Sequence, residues 1–92
     1  MTVRSERIRE FLAEYSPEAL LCDGLDDALV GTTSTWPSHN IVAVYDRDAC
    51  VEVFIRDGMG WADAEDHMCF NVEGAYAGEH TPLFIVFHGE QE

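Results

Sequence analysis

Apolar residues recur along this chain in three rhythms, and each predicts its own kind of element. In the stretch from Thr2 to Tyr15, the residues Ile8, Phe11, Leu12 and Tyr15 fall at i, i+3, i+4 and i+7. That spacing makes one apolar stripe of an α-helix. Glu6, Arg7, Arg9, Glu10 and Glu14 take its other faces. Ser16-Pro17-Glu18 resets the chain. Ser16 offers a capping oxygen and Pro17 suits a first helical position, so a short second helix is expected over Pro17 to Leu21. Cys22-Asp23-Gly24 ends it, with Gly24 free to take positive φ.

The second rhythm is that of strands. ALVGTTS, from Ala28 to Ser34, and IVAVY, from Ile41 to Tyr45, are β-prone. TWPSHN lies between them and is rich in turn formers, so the two runs are expected to pair as an antiparallel hairpin. Trp36 near the hairpin tip reads as a lid over the core; an exposed anchor is the other reading. Asp46 then caps a helix from Arg47 to Asp57, with Cys50, Val51, Phe54 and Ile55 as its buried stripe and Gly58 as its closing glycine.

Helical spacing returns from Gly60 to Ala75. Trp61, Ala64, Met68, Val72 and Ala75 are expected to face inward, and Asp63, Glu65, Asp66 and Glu73 outward. Gly74, Ala77 and Gly78 loosen the helix end. The third rhythm is unbroken: Leu83-Phe84-Ile85-Val86-Phe87 is apolar throughout, which predicts a strand buried on both faces, hence a central one. The polar tail HGEQE is expected to fray. The order ααββααβ predicts a small α+β fold: a three-stranded antiparallel sheet with helices packed mainly on one face, one domain over residues 1–92.

Composition agrees with a folded chain. At 47% hydrophobic and 11% aromatic there is material for a modest core, which argues against disorder. No apolar run is long enough for a membrane span, and MTVRSERIRE lacks the apolar region of a signal peptide. The protein is therefore expected to stay in the cytoplasm where it is made. Cys22, Cys50 and Cys69 are odd in number and lack CxxC spacing, so they read as reduced, mostly buried thiols.

Charge changes the picture most. Eighteen acidic residues stand against five arginines and no lysine, for a formal net charge of −13. Arg4, Arg7 and Arg9 sit in the first nine residues, so from Glu10 onward only Arg47 and Arg56 offset the acids. Such a surface repels nucleic acid and anionic membranes and is drawn to basic surfaces, including those that hold nucleic acid. Acidity kept only for solubility is the competing explanation.

Motifs for catalysis are lacking. Asp63 and His67 stand at i, i+4 with Cys69 nearby, but no HExxH, CxxC or EF-hand pattern accompanies them. His67 thus reads as a solvated helix residue and Cys69 as a small core filler. Ser38-His39 are neighbours in a turn, and Asp26-Asp27 suit turn or strand-start chemistry better than acid–base work. No cofactor, metal site or catalytic residue is expected. What survives is a partner-binding surface built from Asp48, Glu52, Asp63, Glu65, Asp66, Glu73 and Glu79. Spaced carboxylates of this kind imitate a row of phosphates and meet Arg or Lys of a nucleic-acid channel by charge-assisted contacts.

Two segments carry a resemblance. LLCDGLDDALVG, residues 20–31, and DGMGWADAEDHMCFNVEGAYAGEHTPLFI, residues 57–85, are linked by VAVYDRDACVEVF. Together they resemble a family of small proteins from phages, prophages and bacterial genomes. Gly60 stands where that family more often has a capping Ser or Thr. The chain's size and acidity also resemble anti-CRISPR proteins, several of which are small acidic proteins that block nucleic-acid sites. That resemblance implies a non-enzymatic monomer acting on a type I effector complex, with its DNA-binding subunits as the contact. An accessory or regulatory phage protein that grips a host partner through Trp36 or Trp61 is the alternative.

Overall fold

Strand β2 (Ile41–Asp46) is the axis of the molecule, and the reason lies in its composition. Val42, Ala43, Val44 and Tyr45 are all buried, which requires cover on both faces and a neighbour on each edge. The computed structural model describes residues 3–22, 24–35, 39–73 and 78–88. Within these, β1 (Leu29–Ser34) and β3 (Leu83–Ile85) flank β2 in the order β1-β2-β3. The hairpin β1–β2 is antiparallel as expected, with Val30 inserted as a bulge between the pairs Leu29–Tyr45 and Gly31–Val44.

The third strand corrects the expectation of a wholly antiparallel sheet. β3 runs parallel to β2, pairing Val44–Leu83, Tyr45–Phe84 and Asp46–Ile85, so the sheet is mixed. The chain leaves β2 into α2 (Arg47–Arg56), continues through α3 (Trp61–His67) and only then returns. A helical crossover of this kind brings a strand back in the same direction. Nor is β3 central. It is a three-residue edge strand whose alternate residues serve different surfaces. Phe84 stacks on Tyr45 with ring centroids 5.6 Å apart, while Leu83 and Ile85 lie on the opposite face beside Val44. Apolar demand on both faces, not a central place, explains the unbroken run.

The helices gather on the face of β2 that carries Ala43 and Tyr45. Leu12 of α1 (Val3–Tyr15), Leu25 and Ala28 around a 3-10 turn (Asp26–Ala28), Cys50, Val51 and Val53 of α2, and Ala64 of α3 with Met68 form one buried cluster there. The other face holds an open groove of about 640 Å³ lined by Val30, Gly31, Val44, Leu83, Ile85 and Phe87, with Arg4 and Asp46 among its polar neighbours.

Several inward assignments shift by part of a turn. In α1 the buried positions are Ser5 and Leu12 with Ile8 half-buried, whereas Phe11 and Tyr15 face outward and pack against each other with rings tilted by 42° and centroids 4.9 Å apart. In α2, Val53 is buried and Ile55 exposed. Trp61, expected inside, is 67% exposed, and Cys69 is exposed rather than a core filler. The α-helical turn stops at His67. A π-helical segment (Met68–Glu73) follows, its wider i→i+5 turn keeping Met68 buried and Val72 against the core. No helix forms over Pro17 to Leu21: Ser16 instead donates its hydroxyl to the Ile41 carbonyl at 2.8 Å, tying the end of α1 to the start of β2. The expectations for Trp36, Ser38, Ala75, the Glu73 side chain and the last four residues fall outside what the structure describes.

Local chemistry fixes the joints. Asp46 caps α2, its carboxylate accepting from the Ala49 amide at 3.2 Å. Gly24 and Gly58 take φ of +82° and +113°, where a side chain would be strained. The Tyr45 hydroxyl accepts from the Cys22 amide at 2.8 Å, fastening Cys22 to β2. Burial is the main cause that pushes the Tyr45 phenol up to about 12, only partly offset by that amide bond.

Two outcomes follow for stability. Tyr45→Phe removes the hydroxyl that accepts from the Cys22 amide and should cost about 1–2 kcal/mol in urea unfolding, while Asp46→Ala should cost about 1 kcal/mol through the lost cap. Because the folded phenol ionises later than the unfolded one, the stability it supports is complete below pH 10 and is lost as pH rises towards about 12. Denaturation midpoints across that range should fall faster for the wild type than for Tyr45→Phe.

Candidate functional site

The acidic residues singled out from the sequence sort into an outward-facing group and a group engaged within the fold. Asp48 and Glu52 lie at i, i+4 on α2, opposite Cys50 and Val53, and both are exposed. Asp63 and Asp66 lie at i, i+3 on α3, facing away from Ala64 and Met68, and both are exposed. No ion pair engages these four among the described residues. Like charges at these spacings repel mildly, so the fold keeps them at a small cost.

Glu65 is engaged in structure. Arg47, the first residue of α2, meets Glu65 of α3 at 3.1 Å, with both side chains mostly covered. This pair fixes how the two helices sit against each other. It also removes one of the two cations beyond residue 10 from the field of its neighbours. Arg56 is likewise turned away, bonded to Asp27 at 3.2 Å, and Arg9 bonds Asp26 at 3.1 Å. The pair Asp26-Asp27 therefore ties α1 and α2 to the 3-10 turn.

Glu79 stands elsewhere. It accepts from Asn40 Nδ2 at 2.7 Å, at the start of β2. Asp48 lies past the other end of that strand, roughly 20 Å away along it. The backbone of Glu73 ends the π-helical segment, and the placement of its side chain is outside the described residues. Of the seven, Asp48 and Glu52 on α2 and Asp63 and Asp66 on α3 are thus exposed carboxylates engaged by no ion pair among the described residues, on two helices joined by the Arg47–Glu65 pair.

Neighbouring groups were only partly readable in the sequence. His67 is half-buried, edge-on to Phe54 at 4.6 Å, with Nδ1 3.2 Å from the Asn71 amide nitrogen. It lines a cavity of about 320 Å³ with Cys22, Phe54, Asn71, Thr81 and Phe84. Among the described residues, no group of three or more His, Cys, Asp or Glu is placed to hold a metal ion. No described helix is long and apolar enough to cross a membrane. The exposed aromatics Trp61 and Phe70, 67% and 73% exposed, were missed because helical spacing alone placed Trp61 inside and left Phe70 unassigned. No protein-family model matches the chain, and no curated protein or solved structure matches it.

The division of labour among the carboxylates predicts unequal mutants. Asp48→Asn, Glu52→Gln, Asp63→Asn and Asp66→Asn should each change unfolding free energy by no more than about 0.5 kcal/mol. Glu65→Gln should destabilise by up to about 1 kcal/mol, since it removes the carboxylate charge that faces the largely covered Arg47. Equal effects at all five positions, read by urea titration, would contradict the assignment.

Proposed function

We propose that this protein is a non-catalytic, phage-encoded anti-CRISPR inhibitor. It binds a type I effector complex in the host cytoplasm and blocks target DNA by presenting an acidic face to a basic DNA-binding surface. The observation that carries this reading is the set of four exposed carboxylates on two adjoining helices, with the nearby arginines Arg47 and Arg56 already engaged by Glu65 and Asp27. A row of charges mounted on rigid helices costs little to order on binding, and its field steers a basic partner towards it. Phosphate contacts supply much of the affinity of DNA for such channels, so competing carboxylates act on the same groups of the effector.

A second reading has its own support. Trp61 and Phe70 stand exposed beside the acidic face, and large aromatics are common anchors of protein interfaces. On this reading the chain is a phage accessory or regulatory protein that binds a host partner through apolar contact.

Target-DNA binding by a purified type I effector complex separates the two. The first reading predicts inhibition that weakens as salt rises from about 50 to 500 mM, because screening shortens the reach of the acidic face. It also predicts that the triple variant Glu52→Lys, Asp63→Lys, Asp66→Lys inhibits roughly a hundredfold less well while keeping the wild-type circular dichroism spectrum. Binding that ignores salt and the lysine variant but is lost in Trp61→Ala supports the apolar partner. Absence of any binding at low salt sinks the inhibitor.

A further inference from the structure

The cavity of about 320 Å³ beside His67 is walled by four parts of the chain. Leu21 and Leu25 come from the segment between α1 and the 3-10 turn, Phe54 from α2, Val72 from the π-helical segment and Phe84 from β3. Bonds within the fold hold these walls. The Leu20 amide donates to the His80 carbonyl at 3.1 Å, joining the first wall to the turn before β3. Phe84 stacks on Tyr45, and Phe54 stands edge-on to His67. The cavity is thus formed before any ligand enters, and binding there carries little cost of ordering.

Its lining has a distinct chemistry. A quarter of the chain's residues are charged and the formal net charge is −13, yet no Asp, Glu, Arg or Lys is among the described residues that line this cavity. The groove on the other face, by contrast, holds Arg4 and Asp46. An ion entering the cavity would shed water and meet no opposite charge, whereas a neutral apolar molecule gains by burial. Polar capacity gathers at one place. Asn71 Nδ2 lies 3.2 Å from His67 Nδ1. With Nδ2 donating there, the amide oxygen of Asn71 is left as an acceptor. Asn71 and Leu20 are exposed and mark the mouth, while Leu25, 3% exposed, marks the floor. Asn71 and Val72 both come from the π-helical segment, a rare geometry that recurs at functional sites.

From these features we propose that the cavity is a binding site for a small neutral aromatic molecule that carries an N–H or O–H. The ring packs against Phe54, Phe84 and the leucines, and its donor meets the Asn71 amide oxygen at the mouth. A volume of about 320 Å³ stands at the small end of ligand pockets and limits the ligand to one or two fused rings. None of the carboxylates of α2 and α3 lines the site, so it stands independently of the inhibitor reading.

Titration of the full chain with indole, followed by amide and side-chain shifts in nitrogen-edited NMR spectra, tests the proposal. The expected result is saturable binding with a midpoint below about 1 mM, with the largest shifts at Leu21, Asn71, Val72 and Phe84. 1-Methylindole, which lacks the N–H, and indole-3-acetate, which adds a negative charge, should each bind about tenfold more weakly. Asn71→Ala, at an exposed position, should weaken indole about tenfold and leave 1-methylindole unchanged, a pattern that a merely structural role would not give. Val72→Phe, which fills the cavity, should abolish binding of both. No saturable binding up to about 5 mM overturns the proposal, as do shifts confined to residues outside the cavity. Equal affinity for all three probes, or indole binding that Asn71→Ala leaves unchanged, overturns it as well.

Discussion

Burial of β2 on both faces is the constraint on which the rest of this structure depends. Val42 to Tyr45 are buried without interruption, and each demands a different neighbour. Tyr45 demands most: its ring needs Phe84 and the helical core, and its hydroxyl needs the Cys22 amide. Meeting those needs places β3 at one edge and holds Cys22 against Tyr45. It also sets the three helices on the side that faces Ala43 and Tyr45. With α2 starting at Arg47, directly after Asp46 at the end of β2, the direction of the strand sets where Asp48 and Glu52 emerge.

The outward carboxylates of α2 and α3 follow from that arrangement. Helices that bury one stripe present the opposite one to water, and in α2 and α3 the opposite stripe is carboxylate. The Arg47–Glu65 pair locks their relative position, and the Arg56–Asp27 pair draws the remaining nearby cation towards the 3-10 turn. In the sheet, by contrast, β1 and β3 contain no acidic residue and β2 carries one, Asp46, at its end.

Much of the fold was legible because local signals and tertiary structure agree. The hairpin, the Asp46 cap, the positive φ of Gly24 and Gly58 and the burial of Cys50, Val51, Ala64 and Met68 all follow from residue type and spacing. The failures share a cause: spacing shows that a stripe exists but not how wide it is or where a helix changes pitch. Trp61 stands at the very start of α3, where the helix has not yet reached the core, and the π-helical segment after His67 leaves Phe70, unassigned by spacing, exposed while Val72 packs against the core as expected. The apolar run at Leu83 was over-read as central because apolar residues on both faces satisfy an edge strand equally well when each face has its own apolar neighbours. In the candidate site, the carboxylates of α2 and α3 were legible as outward residues. The engagement of Glu65 by Arg47 and the distance of Glu79 from the rest depend on packing between elements far apart in sequence.

Hydrogen–deuterium exchange of the protein, alone and with a type I effector complex at low salt, tests the central claim most directly, because it reports which face is covered. The account predicts added protection across residues 47–66, in α2 and α3, with β3 unchanged. Protection confined to residues 83–88, or bound complex with no change in α2 and α3, would contradict it.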